Sequence, residues 1–382
     1  MGLIIEPVVA EETSFDQIQL YQKGVRSLCE GGITKVPPKY ILPEEERPDS
    51  GTWDFGTKYG SSEVDNLKLP VIDFAQLQGS NRSHALSSLA KACQDYGFFQ
   101  LINHGIEAEV IRRMGDVSKR FFDLPFEERS KYMSKDMSSP VRYGTSYNQN
   151  NDKVFCWRDF LKLSCHPSLS EVLPHWPSSP VDLREAAVNF SENTKFLYLM
   201  LMEAIKESLG LDRETTESEN NGEDDSTKFE DGSQLIVVNC YPSCPEPELT
   251  LGLLPHSDYG LLTILLQDEV KGLQIQHGGR WVTVEPLPNS FVVNVGDHLE
   301  IFSNGRYKSV VHRVLVNSSK SRISIASLHS LPFDRMIRPS PKLIDRANPK
   351  RYKDTDFSSF LEHIASREHK NKNFLESRKL IS

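Results

Sequence analysis

The sequence predicts an α+β fold: a double-stranded β-helix (jelly roll) core, with helices before it and a short helical tail after it. Two observations predict this. About seven short β-branched or apolar-rich runs crowd residues 235–328, separated by turn residues and with no helical period between them. Ahead of them, apolar residues recur at 3.6-residue spacing over 84–96, a second helical pattern runs over 108–122, and the longest helix is expected within 183–209.

Residues 1–67 are polar, with prolines at 37, 38, 43 and 48, and read as an N-terminal extension with one or two short helices. A region of helices and strands is expected over 68–211. It opens on a short strand, Leu69 to Phe74. Ala85, Leu86, Leu89, Ala90 and Cys93 then mark an amphipathic helix that Gly97 ends. A strand over Phe98 to Ile102 leads to the turn Asn103-His104-Gly105, and a helix is expected from Ala108 to Phe122, stopped by Leu124-Pro125. The longest helix should lie within Leu183 to Leu209. Residues 212–232 hold many acids and few apolar groups and cannot contribute much to a core, so they read as an acidic mobile loop.

The jelly roll is expected over 233–334. Its strands are Leu235–Asn239, Leu261–Leu266, Leu273–Gln276, Trp281–Val284, Phe291–Val295, Tyr307–Val316 and Arg322–Leu328. Gly278-Gly279 sits between two of them as a two-residue hairpin signal. A helical tail, with a helix near Asp356 to Ser366, is expected over 335–382.

Composition narrows the function. The 382 residues are 38% hydrophobic and 25% charged, and no stretch approaches the ~20 apolar residues that cross a bilayer. A net charge of −9 repels phosphate backbones, which argues against a nucleic-acid partner. The six cysteines form no CxxC pair and read as thiols in a reducing compartment. No secretion signal is visible. The cytoplasm is the default location, with the nucleus open, and a monomer is expected.

Chemistry concentrates in the roll. His256 and Asp258 are two apart; on a strand they would share a face and approach one ion. Alone, HxD is a weak signal. His312 follows 54 positions later in the apolar run Ser309 to Val314. Alone it reads as a hydrogen-bonded core histidine. Together, two imidazoles and a carboxylate are the ligand set of non-haem Fe(II) oxygenases, which leaves coordination positions open. No cysteine is placed to close a zinc shell.

Arg322 and Ser324 share the face of a strand ten residues after His312. A guanidinium directed into a barrel needs a carboxylate, from the chain or from a ligand. Arginine binds carboxylate bidentately, and Ser324 adds a hydroxyl donor. Asn239 and Tyr241 share another strand face. Tyr241 can donate to the same ligand carboxylate or merely close the barrel; Asn239 can contact the ligand near the metal.

These residues, with LPVIDF (69–74), DYGFFQLINHGI (95–106), WRDFL (157–161), NCYPSCPEPELTLGLLPHSDYGLLTILLQD (239–268), GLQIQHGGRWVTVEP (272–286), NVGDHLEIFSNGRYKSVVHRV (294–314) and RISIAS (322–327), resemble the plant soluble 2-oxoglutarate/Fe(II)-dependent dioxygenases over about residues 68–366. That family includes flavonoid and gibberellin oxidases and downy-mildew-resistance-type hydroxylases. The resemblance implies Fe(II) held by His256, Asp258 and His312. It implies 2-oxoglutarate anchored by Arg322 and Ser324 with Tyr241 and Asn239, O₂ as cosubstrate, and ascorbate as a candidate reductant. It implies hydroxylation or desaturation of a small, mainly apolar metabolite, a hormone such as a gibberellin or a phenolic. Tyr143, Tyr147, Phe160, Tyr259 and Leu328 are its candidate pocket residues. Leu328 stands where many flavonoid oxidases carry phenylalanine, which weakens a flavonoid reading. Two alternatives stay open: an isopenicillin-N-synthase-like oxidase that does not consume 2-oxoglutarate, and a catalytically silent jelly-roll binding protein.

Overall fold

Strand alternation divides each strand of the roll into a face toward the helices and a face toward the interior. A computed structural model of the chain describes residues 21–48, 68–146, 152–166, 168–211, 229, 232–332, 335–356, 359–360 and 373–380. Among them, twelve strands form two sheets. Edge to edge, the larger sheet runs β1 (Val71–Asp73), β2 (Phe98–Ile102), β10 (Phe291–Val295), β7 (Leu262–Gln267), β12 (Arg322–Ser330), β5 (Ser233–Tyr241), β4 (Asp159–Ser164) and β3 (Val141–Thr145). The smaller runs β6 (Leu253–His256), β11 (His312–Val314), β8 (Leu273–His277) and β9 (Arg280–Thr283). Among the described strands only β1 and β2 pair in parallel. This is the expected jelly roll.

The helices are α1 (Val25–Glu30), α2 (Arg82–Asp95), α3 (Ala108–Phe122), α4 (Leu183–Ser208), α5 (Asp297–Phe302) and α6 (Asn373–Arg378), with shorter turns between them. In α4 the buried residues Leu183, Ala187, Phe190, Thr194, Leu197, Leu201 and Ile205 repeat three or four apart, so one continuous stripe faces the sheet. Against it lie Ile236, Val238 and Cys240 of β5, Leu161 and Leu163 of β4, Ile264 of β7 and Ile325 of β12, all in one core. The alternate residues of these strands face the interior of the roll.

Several elements match their sequence expectation closely, among them α3, β10 and the β8–β9 hairpin, where Gly278 and Gly279 take φ 57° and 78°. Only such turns need both central residues left-handed, which glycine adopts without a steric cost. Four expectations need correction. A helix, α5, interrupts the strands. Strands β3 and β4 were not anticipated. The long strand expected over Tyr307–Val316 shrinks to β11, because its earlier backbone bonds elsewhere: Lys308 N–H to the Cys93 carbonyl, and Ser309 N–H to Glu300 Oε2 at 2.6 Å. Finally, β6 ends at His256, so Asp258 comes from a loop rather than the same strand face. The acidic segment 212–232 lies almost wholly outside the described residues, as do most of the helix expected near 356–366 and all of Tyr147.

Candidate metal centre

His256 and His312 are direct partners across the antiparallel β6–β11 pair. Their ring centroids are 4.2 Å apart. The loop after β6 then turns back, and Asp258 Oδ1 lies 3.7 Å from Nε2 of each imidazole. One ligand atom from each of the three lies within 4.8 Å of the others.

That loop is clamped by α5. Asp297 N–H donates to the Asp258 carbonyl at 2.7 Å, and Ser257 Oγ donates to Asp297 Oδ2 at 3.2 Å. Gly296 must be glycine here, because a Cβ would lie 2.1 Å from the Gly260 carbonyl.

Tautomer and orientation suit a metal. His256 Nδ1 donates to the Leu254 carbonyl at 2.8 Å and His312 Nδ1 to that of Val310 at 3.2 Å. Each Nε2 is therefore left with its lone pair toward the centre. Asp258 Oδ2 accepts from Thr263 Oγ1 at 2.5 Å and Asn294 Nδ2 at 2.8 Å, so Oδ1 is the oxygen turned inward. Burial, with the charge of His312 second, pushes the His256 imidazole down to about 3, so it stays neutral. Burial pushes the Asp258 carboxyl up, but its electrostatic interactions with the His312 and His256 imidazoles and the Asn294 and Thr263 hydrogen bonds outweigh it and hold it below the usual carboxylate range. Neutral nitrogens and an ionised carboxylate are what a divalent cation requires.

Thr263 and Asn294 were not singled out in the sequence. They face each other across β7 and β10, and each is a polar residue inside an apolar strand, the one signal that marks them.

Arg322 is 2% exposed. Its Nε donates to the Val270 carbonyl at 3.2 Å and its Nη2 to Gln267 Oε1 at 3.0 Å, both neutral acceptors, and buried Nη1 has no partner. Among the described residues it forms no ion pair. A guanidinium so placed fits a ligand carboxylate. Tyr241, its cross-strand neighbour, lies beneath it, with the guanidinium carbon 5.3 Å from the ring centroid. Ser324 stands opposite Asn239 on the same interior face. Asn239 Oδ1 accepts from Arg158 Nη1 at 2.9 Å, a partner the sequence reading did not include.

The candidate pocket residues divide. Leu328 pairs with Thr263, the residue that holds Asp258, and so faces the centre. Phe160 pairs with Asn239 on the interior face. Tyr143 does not line the pocket: it pairs with Leu161 on the helix-facing side, packs on Phe121 and Phe122, and donates to Asp159 Oδ2 at 3.2 Å. An odd position in the β3 register puts it on the wrong face. The Tyr259 ring stacks on Phe360 of the C-terminal segment at 3.8 Å and meets His298 at 4.1 Å.

Comparison with known proteins agrees with this geometry. Residues 232–330 match the 2OG-Fe(II) oxygenase superfamily, and residues 69–179 match the N-terminal region described as non-haem dioxygenase in morphine synthesis. The chain is 38% identical over 332 residues to DMR6-LIKE OXYGENASE 2 of Arabidopsis thaliana, covering 86% of this chain and 90% of that one. It is 39% identical over 342 residues to flavanone 3-dioxygenase 3 of Oryza sativa subsp. japonica, covering 88% and 97%. The solved structure of JOX2 in complex with 2OG, Fe and JA superposes with a TM-score of 0.80 at 31% identity, covering 94% of this chain and 98% of that one. No described helix is long and apolar enough to cross a membrane. The chain therefore belongs to the 2OG-Fe(II) oxygenase superfamily as a 2-oxoglutarate-dependent dioxygenase that uses Fe(II), 2-oxoglutarate and O₂.

Proposed function

We propose that His256, Asp258 and His312 hold the iron, that Arg322 and Ser324 anchor the distal carboxylate of 2-oxoglutarate, and that the substrate is a small metabolite with an apolar skeleton, a hormone or a phenolic. The observation that carries this reading is the meeting of three ligand atoms within 4.8 Å beside a buried arginine that forms no ion pair among the described residues and feels the Asp268 carboxylate only at longer range. The relative named flavanone 3-dioxygenase 3 and the structure of JOX2 in complex with JA support the substrate class.

Bound iron with 2-oxoglutarate supplies oxidising power from O₂, enough to remove hydrogen from an unactivated C–H bond. The chain's own work is positional. Thr263 and Asn294 fix which oxygen Asp258 turns inward, and the carbonyls of Leu254 and Val310 fix the histidine rings. Leu328 and Phe160 present an aliphatic and an aromatic wall to the bound skeleton. The acceptors Gln267 and Val270 hold the Arg322 fork in place before the cosubstrate arrives. We assign the chain to the cytoplasm and read it as a monomer.

The test is a panel of hormones and phenolics incubated with Fe(II), 2-oxoglutarate and air. Substrate loss matched one to one by succinate supports the reading. Substrate oxidation without succinate would instead support an oxidase that takes no 2-oxoglutarate.

A further inference from the structure

A second buried arginine faces the same interior. Arg158 precedes β4 and is 6% exposed. Its Nη1 donates to Asn239 Oδ1 at 2.9 Å and its Nη2 to the Ser146 carbonyl at 2.5 Å. Both acceptors are neutral, and buried Nε has no partner. Among the described residues no carboxylate pairs with it. Isolated charge is costly to bury, so an arginine left with neutral acceptors is completed by an anion that arrives later.

2-Oxoglutarate does not account for that anion. It has two carboxylates. One is matched by Arg322, and the other, beside the keto group, is the one suited to chelating the metal. Arg158 remains over.

Its surroundings combine an aromatic ring with a second guanidinium. The interior face of β4 carries Phe160 and then Lys162, and the Arg158 guanidinium carbon lies 5.2 Å from the Phe160 ring centroid. The Arg142 guanidinium carbon lies 5.5 Å from the same ring. Arg142 is also the cross-strand partner of Lys162. Burial first, and Arg142 second, lower the Lys162 ammonium to about 8, with Asp136 acting the other way. Two guanidiniums thus border one aromatic ring inside a chain whose net charge is −9, while Lys162 donates to the Met137 carbonyl at 2.7 Å.

We propose that Arg158 is the specificity-determining residue that binds the carboxylate of the substrate, so that the enzyme acts on a small organic acid whose skeleton lies along Phe160. This deepens, and rests on, the oxygenase reading above.

The test uses the protein loaded with Fe(II) and 2-oxoglutarate without oxygen, so that binding is read apart from turnover. Benzoate, trans-cinnamate and cyclohexaneacetate are each titrated by calorimetry against their methyl esters. At least one acid is expected to bind on the order of tenfold or more tighter than its ester. Arg158→Gln should erase the preference, and Arg158→Lys should keep part of it. The inference is overturned if no acid binds, if acids and esters bind alike, if Arg158→Gln preserves the preference, or if Arg158→Gln weakens 2-oxoglutarate instead. The wild-type acid–ester comparison stands even if a variant does not fold. Iron and 2-oxoglutarate titrations of the same wild-type preparation separate the two readings. Their failure overturns the metal and cosubstrate assignment, whereas their success with no acid preference overturns only the role of Arg158.

Discussion

His312 faces His256 directly across the β6–β11 pair, and Asp258 Oδ1 stands 3.7 Å from the Nε2 of both. A cross-strand pair fixes two ligands to the spacing of the sheet itself. The third arrives on a loop held by α5. His256→Ala or His312→Ala should therefore abolish stoichiometric iron binding and turnover while leaving the fold in place. Metal content by elemental analysis, beside circular dichroism, checks this. Full iron occupancy in either variant would remove that histidine from the ligand set.

Asp258 depends on Thr263 and Asn294 to present the correct oxygen. Thr263→Val keeps the shape and removes the hydroxyl donor. Loss of a hydrogen bond behind a ligand typically costs about 10–100-fold in metal affinity. Competition with a chelator measures the change, and an unaltered iron affinity would show that Oδ2 needs no such support.

Arg322→Gln should raise the KM for 2-oxoglutarate with little change in iron content. Losing a charge-assisted pair corresponds to roughly 1.5–3 kcal/mol, or about 10–150-fold. Initial rates against 2-oxoglutarate concentration decide it; an unchanged KM would move the cosubstrate anchor elsewhere.

Two further buried histidines set an acid limit. Burial pushes His298 and His329 each down to about 3. Their folded-state values lie below the unfolded value near 6.5, so the unfolded chain takes up protons first as pH falls. The stability tied to each group is present above about pH 6.5 and is lost progressively toward the folded value. Between pH 6 and 4 each contributes a slope of up to about 1.4 kcal/mol per pH unit. His329 stacks on Tyr198 at 4.3 Å and its Nε2 lies 2.9 Å from Ser327 Oγ, so His329→Gln can keep a polar partner. Urea midpoints of the metal-free protein across this window should be flatter in His329→Gln than in wild type. Parallel curves would mean His329 does not remain neutral in the fold.

Much of this is legible in the sequence. The 3.6-residue period gave α3 its bounds, because an amphipathic helix must repeat its apolar face to be buried. Gly278-Gly279 marked the β8–β9 turn, because left-handed backbone at two successive residues narrows the choice of side chain. The residues His256, Asp258, His312 and Arg322 were singled out because ligand chemistry restricts residue type more tightly than packing does. Strand β4 was missed: Asp159–Ser164 mixes charged and apolar residues and resembles a surface turn until the roll encloses it.

The sequence by itself determined the fold class, the helical periods and the identity of the candidate metal donors, all of which follow from local pattern and side-chain chemistry. Tertiary structure alone decided the faces and the partners. Tyr143 fell on the helix side by the register of β3, Asp258 turned its Oδ1 inward because Thr263 and Asn294 claim Oδ2, and Arg158 came to lie beside Asn239. Register and long-range hydrogen bonding join residues tens of positions apart. A one-residue slip reverses every side chain of a strand, so no local window carries that information.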